Sequence, residues 1–148
     1  MEILNEKGAL IEFDIMVYPI TVIIAIGDVG EDIDRLYKPS NPDYLGLRKP
    51  TEIRPAATYD DIVDKETESP CELIWINTLN DCRGSYMCHE AGHAALDIFK
   101  FVGAEVDADN QEPYCYLLST IYKCINSAYV KLKDYKPKPK KSKKKNVQ

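Results

Sequence analysis

The sequence predicts an α+β domain, in which two helices pack on a small twisted mixed sheet of three to five strands. The first half of the chain is rich in short runs of β-branched residues, which favour strands. The second half contains two long segments whose apolar residues recur with the spacing of an amphipathic helix. The chain has 148 residues, enough for one domain with a hydrophobic core of its own.

Three strands and one short helix are predicted in the first half of the chain. Residues 13–17 and 21–26 are rich in β-branched side chains and form either two strands or one bent strand, and residues 72–77 alternate as a half-buried strand does. A short acidic helix is expected over residues 31–37, after a glycine turn. Residues 38–55 contain four prolines, which predict an irregular connection.

Two longer helices are predicted over residues 86–102 and 110–130. Ser85 is a suitable N-cap for the first helix, and Gly103 a suitable terminator. A helical wheel separates an apolar stripe from a polar face in each segment. The stripes consist of Ala91, Ala95, Ile98, Phe99 and Val102 in the first helix, and of Tyr114, Leu117, Leu118, Ile121, Ile125 and Ala128 in the second.

Both histidines of the chain lie in one H-E-x-x-H motif, over residues 89–93. Residues i and i+4 share a face of a helix, so His89 and His93 are able to bind the same zinc ion. In such sites the glutamate of the motif, here Glu90, accepts a proton from zinc-bound water. Both histidines lie opposite the apolar stripe, which favours a metal site over a role in the core.

A zinc site that keeps a water for chemistry needs a third protein ligand. Glu112 is the first candidate, with eighteen residues between His93 and it. The alternative role of Glu112 is helix capping: it stands at a capping-box spacing from Asp109, and an acid near a helix N-terminus contributes about 0.3–1 kcal/mol. We expect Glu112 to be the ligand. Glu105, Asp107 and Asp109 are the fallback ligands on the connecting loop.

The resulting H-E-x-x-H-x18-E pattern is similar to that of the gluzincin metallopeptidases, whose third ligand is a glutamate on the next helix. The segments C-H-E-A-G-H-A-A-L-D-I-F-K-F-V-G-A, from Cys88, and D-N-Q-E-P-Y-C-Y-L, from Asp109, resemble more specifically small zinc-peptidase-like proteins encoded by bacteriophages and prophages. The resemblance extends over residues 84–125. The chain is much shorter than the gluzincin aminopeptidases and has no G-x-M-E-N segment, so aminopeptidase activity is not expected.

This resemblance implies a zincin-like fold and a zinc-dependent metallopeptidase, in which His89, His93 and Glu112 bind Zn²⁺ and Glu90 is the general base. It also implies that an edge strand near the motif helix pairs with an extended peptide or protein substrate. Asp97 is either a hydrogen-bond partner of an imidazole or a surface carboxylate. The candidates for stabilising the oxyanion are Tyr59, Tyr86, Tyr114 and Tyr116.

The charge of the chain divides it into a domain over residues 1–130 and a tail over residues 131–148. The domain carries 10 basic and 23 acidic side chains, a net charge of −13, whereas the tail carries nine lysines and Asp134, a net charge of +8. The tail has no apolar cluster to bury, so we expect it to be disordered. It is either a solubilising tail or a weak, non-specific ligand of nucleic acid or another polyanion.

The sequence also favours an intracellular protein that does not enter a membrane. The apolar run over residues 15–26 is too short to span a bilayer, and no secretory signal opens the chain. The five cysteines are odd in number and form no C-x-x-C pair, which is typical of free thiols in a reducing compartment such as the bacterial cytoplasm. We expect Cys88 to pack in the interior rather than bind metal.

A second function competes with hydrolysis: a non-catalytic phage structural or regulatory protein that zinc stabilises and whose tail binds a polyanion. The small size of the chain and its basic tail favour this alternative. The presence of Glu90 argues against it, because a purely structural zinc site has no need of a general base.

Overall fold

The computed structural model describes residues 1–43 and 46–140, which form a curled, mixed, six-stranded sheet and three helices. The predicted α+β class is confirmed, although the sheet has six strands where three to five were expected. The strand order is β1-β2-β3-β6-β5-β4. The strands are β1 (Glu2–Asn5), β2 (Gly8–Asp14), β3 (Thr21–Gly27), β4 (Tyr37–Pro39), β5 (Ala56–Asp64) and β6 (Pro70–Ile76).

The centre of the sheet is the parallel pair β3 and β6, in which Ile23 lies opposite Leu73 and Ile24 opposite Ile74. All other neighbours in the sheet are antiparallel. Both central strands are almost wholly apolar and buried, as strands covered on both faces must be. The sheet therefore has a hydrophobic cluster on each face.

The helices are α1 (Gly30–Leu36), α2 (Gly84–Val102) and α3 (Glu112–Lys133). α2 and α3 pack together over one face of the sheet, and Ile33 of α1 belongs to the cluster on the other face. α2 ends at Gly103, which has the left-handed φ of 72° expected of a C-terminal glycine. Its N-cap is Arg83 rather than the predicted Ser85, and no side chain caps this end of the helix.

The N-terminal strands differ from the prediction because an apolar run there forms a turn. Met16 and Val17 were expected in a strand, yet they are 85% and 82% exposed at the turn between β2 and β3. Asp14 stabilises this turn by accepting a hydrogen bond from the backbone of Met16. β1, β4 and β5 were not predicted, and β4 (Tyr37–Pro39) lies where the end of the short helix and the irregular connection were expected. β5 is interrupted by a bulge that includes Asp60 and Asp61, which breaks the alternation that marks a strand.

α3 continues to Lys133, three residues past the helix end predicted at residue 130. Leu132 is half-buried against the main core, four positions after Ala128 on the same helix face. Lys131 Nζ lies 2.5 Å from a carboxylate oxygen of Glu2, which joins the helix end to β1. The tail residues 141–148, expected to be disordered, lie outside the described residues. Within the described part of the chain, no helix is long and apolar enough to cross a membrane.

We predict that two C-terminal truncations have different effects on stability. Removing residues 136–148 should leave the thermal unfolding midpoint unchanged, because the described residues 136–140 are exposed. Removing residues 131–148 also removes Leu132 and the last turn of α3, and should lower the free energy of unfolding by about 1–3 kcal/mol. Calorimetry of both truncations against the full chain measures this. Equal midpoints for the two truncations would contradict the assignment of Leu132 to the core.

Candidate metal centre and its cleft

The two histidines of the motif converge on α2. The Nε2 atoms of His89 and His93 lie 3.0 Å apart, and the rings meet edge to face with their centroids 4.7 Å apart. Two imidazole nitrogens bound to one tetrahedral zinc, each at 2.0–2.1 Å, would be separated by about 3.3 Å. The observed separation differs from that by a few tenths of an ångström, so this pair fits a shared zinc ion.

Glu90 is buried between α2 and the sheet, although its histidine neighbours are exposed. Its side chain is 7% exposed. The hydroxyl of Thr58, on β5, donates to Glu90 Oε2 at 2.5 Å. The same hydroxyl lies 3.3 Å from the backbone carbonyl of Glu90. Thr58 therefore holds the carboxylate of the motif in one orientation, next to the imidazole pair.

A cleft of about 970 Å³ opens beside the motif. One wall is α2, which contributes His89, Glu90, His93 and Asp97. The opposite side is formed by residues 56–60 of β5 and by residues of the preceding connection. The two histidines and Glu90 thus face a space large enough for several residues of an extended chain.

The first half of β5 is a free strand edge: its backbone groups that point away from β6 have no partner among the described residues. β4 pairs only with residues 62–64 of β5, so the first half of the strand pairs with β6 alone. The backbone N–H of Asn77 donates to the carbonyl of Pro55, so these two residues, which adjoin β6 and β5, are a hydrogen-bonded pair. In an antiparallel ladder, hydrogen-bonded and non-hydrogen-bonded pairs alternate along the strand. Ala56 and Thr58 consequently direct their backbone groups away from β6. The strand predicted over residues 72–77 corresponds to β6, which is internal, so the edge near the motif belongs to β5 instead.

Asp97 is held in the cleft wall by a second carboxyl group beneath it. Glu72 of β6 is 1% exposed and shares a side-chain hydrogen bond with Asp97. Burial, and then this hydrogen bond, raise the pKa of Glu72 to about 11. Glu72 is therefore protonated at neutral pH and donates to Asp97. Its Oε1 atom has no partner among the described residues. Asp97 is half-buried and is thus not a free surface carboxylate.

Glu112 is the first residue of α3, and its side chain is exposed. The capping alternative is not observed, since Gln111 is the N-cap and no side chain makes a capping hydrogen bond. The fallback ligands Glu105, Asp107 and Asp109 are also exposed. Residues 1–43 and 46–140 contain no group of three or more His, Cys, Asp or Glu side chains arranged to hold a metal. The structure thus brings His89 and His93 together without Glu112, whose role as the third ligand stays a prediction.

One of the four candidate tyrosines, Tyr59, lines the cleft, and its hydroxyl donates to the carbonyl of Arg48. Tyr114 packs along α2: its ring centroid is 6.0 Å from that of Phe99, and its hydroxyl lies 3.6 Å from where a Cβ on Gly92 would be. Tyr116 is exposed on α3, and Tyr86 lies near Arg83.

Some residues of the cleft could not have been found from the sequence. Thr58, Arg48 and Arg54 line it, but no motif marks them, and their positions depend on the pairing of β5. Cys88, which was expected to pack inside, is exposed, because the buried face of α2 lies on the other side of the helix.

Comparison with known proteins found no matching family model, no matching curated protein and no matching solved structure. The function must therefore be inferred from the chemistry of the cleft and its motif.

We predict that Glu72→Gln flattens the pH dependence of stability. A carboxyl whose folded pKa of about 11 exceeds its ordinary value of 4.5 binds a proton more tightly in the folded state. Its stabilising contribution is complete below about pH 4.5 and is lost progressively as the pH rises toward 11. Glutamine mimics the protonated acid and does not titrate. As the pH is raised from about 5 to about 9, the thermal midpoint of the variant should rise relative to that of the parent. Both pH values lie between the ordinary pKa of 4.5 and the folded pKa of about 11, where the difference develops.

The matched control is Glu66→Gln, which changes an exposed glutamate. This control should follow the parent at every pH. Parallel curves for Glu72→Gln and the parent would contradict a protonated Glu72.

Proposed function

We propose that this chain is a zinc-dependent metallopeptidase with a zincin-like fold and a gluzincin-like set of ligands. The observation that carries the proposal is the arrangement around residues 89–93. Two imidazole Nε2 atoms meet 3.0 Å apart, and Glu90, whose carboxylate accepts a hydrogen bond from Thr58, lines the same cleft as they do. This combination of a metal-binding pair and a held proton acceptor suits the hydrolysis of an amide.

In the proposed site, His89, His93 and Glu112 hold the metal. The chemistry that Zn²⁺ would supply there is the activation of a water as nucleophile and the polarisation of the scissile carbonyl. Glu90 accepts the proton of the attacking water and passes it to the leaving amine. The hydroxyl of Thr58 donates to one oxygen of the Glu90 carboxylate. This hydrogen bond fixes the orientation of the carboxylate for both proton transfers, from the water and to the amine.

A peptide is the substrate that suits the strand edge next to this site. Backbone groups of Ala56 and Thr58 point away from β6, and residues 56–60 line the cleft. An extended peptide adds to such an edge through main-chain hydrogen bonds, whatever its sequence. Thr58 contacts both this edge and Glu90, so a peptide bound along β5 passes close to the proton acceptor.

The proposed role of Glu112 requires its side chain to approach the two histidines. Its helix begins beside α2, where Tyr114 reaches along α2 as far as Gly92, next to His93. Residues 103–111, which precede Glu112, are exposed throughout. Burial therefore does not hold this connection or the Glu112 side chain, although Tyr114 stays packed against Phe99, and zinc binding would supply the energy to reorient Glu112.

A non-catalytic, zinc-stabilised phage structural or regulatory protein is the second candidate function. The small size of the chain and its lysine-rich tail favour it. The burial of Glu90 and its bond to Thr58 favour the enzyme, since a structural site gains nothing from a held proton acceptor. For either function we propose an intracellular setting, consistent with the five free cysteines, and weak binding of a polyanion by the lysine-rich tail.

Glu90→Gln is expected to separate the enzyme from the structural protein. Glutamine accepts the bond from Thr58 but cannot take a proton, so activity should fall by about 10²- to 10⁴-fold. Zinc content should stay at that of the parent, because Glu90 is not a proposed ligand. The measurement is cleavage of an unstructured peptide library by parent and variant at equal zinc loading, followed by mass spectrometry. Equal cleavage by both proteins would exclude Glu90 as the base, and no cleavage by either would favour the structural protein.

Glu112→Ala is expected to lower zinc occupancy sharply, as His93→Ala should, because each removes one of three proposed ligands. Asp109→Ala is the matched control, since it removes an exposed carboxylate three residues away and should leave occupancy unchanged. Elemental analysis of dialysed protein measures this. Full occupancy in Glu112→Ala would exclude Glu112 as a ligand.

A further inference from the structure

Positive charge is concentrated in the connection that faces the motif across the cleft. Arg48, Lys49 and Arg54 all line the cleft. They are three of only 10 basic residues in residues 1–130, a region with 23 acidic ones. Three cations within seven positions at the mouth of the proposed site stand out in a body of net charge −13.

The two arginines are available to a ligand. Lys49 lies 3.8 Å from a carboxylate oxygen of Asp28, whereas the guanidinium groups of Arg48 and Arg54 have no acidic partner in residues 1–43 and 46–140. Their backbones are nonetheless held in place. The carbonyl of Arg48 accepts the Tyr59 hydroxyl. Thr51 closes a turn with Arg54, in which its N–H donates to the Arg54 carbonyl at 2.9 Å and its hydroxyl accepts from the Arg54 N–H at 3.2 Å.

The acidic groups of the cleft lie mostly elsewhere along it. Glu90 is bonded to Thr58, and Asp97 to Glu72. Asp60 lies two residues after Thr58, which corresponds to about 7 Å along a strand. Arg54 lies on the other side of Thr58 in the chain, two residues before Ala56. Asp43, on the connection, makes no ion pair with either arginine among the described residues. Along the chain, the two arginines thus precede β5, Thr58 holds Glu90, and Asp60 follows; Asp43 is the one acidic lining residue described on the connection that carries the arginines.

We infer that the cleft selects peptides that carry a carboxylate close to the bond to be cut, and that Arg48 and Arg54 bind it. Guanidinium groups bind carboxylates through two parallel hydrogen bonds, which gives both affinity and orientation. The carboxylate is either an Asp or Glu side chain or the free C-terminus of a peptide. This inference rests on the proposed function, because it names the substrate of the same cleft.

A nucleic-acid strand fits this cleft less well than an acidic peptide does. Asp43, Asp60 and Asp97 line it together with the arginines, and the surrounding body is strongly acidic. A polyanion would be repelled along most of its length, whereas a single carboxylate needs only the two guanidinium groups.

The test measures binding separately from cleavage, on zinc-loaded Glu90→Gln protein. The probes are octapeptides of alanine and glycine that carry an uncharged BODIPY dye on the N-terminus and have a central Glu or a central Gln, each with a free or an amidated C-terminus. Fluorescence anisotropy gives the dissociation constants. Two of the four probes carry a single carboxylate, and we expect the better of these two to bind about fivefold more tightly than the amidated Gln probe, the size of one partly exposed charge pair. The difference should shrink in high salt.

Arg48→Gln and Arg54→Gln, alone and together, should remove this preference. The side chains are exposed, so the variants are expected to fold, and their thermal midpoints verify it. The matched control is Arg35→Gln, which removes the same charge from α1, where Arg35 pairs with Asp32 at 2.7 Å. This control should keep the full preference.

The outcomes separate this inference from the proposed function. Equal affinity for all four probes, or no binding, overturns the selection of a carboxylate. A preference that survives in the double variant overturns the role of the arginines. Preference for the central Glu identifies a side chain as the target, and preference for the free C-terminus identifies the chain end. If the parent cleaves peptides but binds all four probes equally, the proposed peptidase function is retained and only the inferred selection of a carboxylate is rejected.

Discussion

The packing of α2 against the sheet is the contact on which the candidate site depends. Ala91, Ala94 and Ala95 are fully buried there, and such small side chains allow the helix to lie close to the strands. This close approach brings Glu90 within reach of Thr58 on β5. It also turns His89 and His93 outward, toward the cleft. Larger residues at the alanine positions would lift the helix from the sheet and break the contact between the two elements.

Two carboxyl groups are buried along this helix and sheet, and each is stabilised differently. Glu90 accepts a hydrogen bond from a neutral hydroxyl, whereas Glu72 retains its proton and bonds to Asp97. Burying a charged group without a partner is unfavourable by several kcal/mol in typical proteins. The hydrogen bond to Glu90 and the proton retained by Glu72 each reduce this desolvation cost. Glu90 lines the cleft itself, whereas Glu72 lies behind Asp97, which lines the same cleft.

Much of the fold could be predicted from periodicity. The α+β class, the strand over residues 72–77 and the end of α2 at Gly103 follow from alternation, from helical spacing and from glycine chemistry. The short edge strand β1 and the bulged strand β5 could not be predicted. β1 has too few residues for a pattern, and the bulge in β5 interrupts its alternation. The end of α3 was misjudged because lysines surround Leu132 and conceal a side chain that continues the apolar face.

The sequence by itself determined the motif residues and their common helix face, since i and i+4 positions meet on any α-helix. That local rule accounts for the 3.0 Å approach of the two imidazoles. Only the tertiary structure decided which residues oppose the motif. Thr58 reaches Glu90 of α2, and Arg48 and Arg54 line the same cleft, because of the order and register of β5 and β6, which depend on the packing of the whole sheet. Contacts between residues distant in the chain leave no periodic signal, so no local pattern could have identified them.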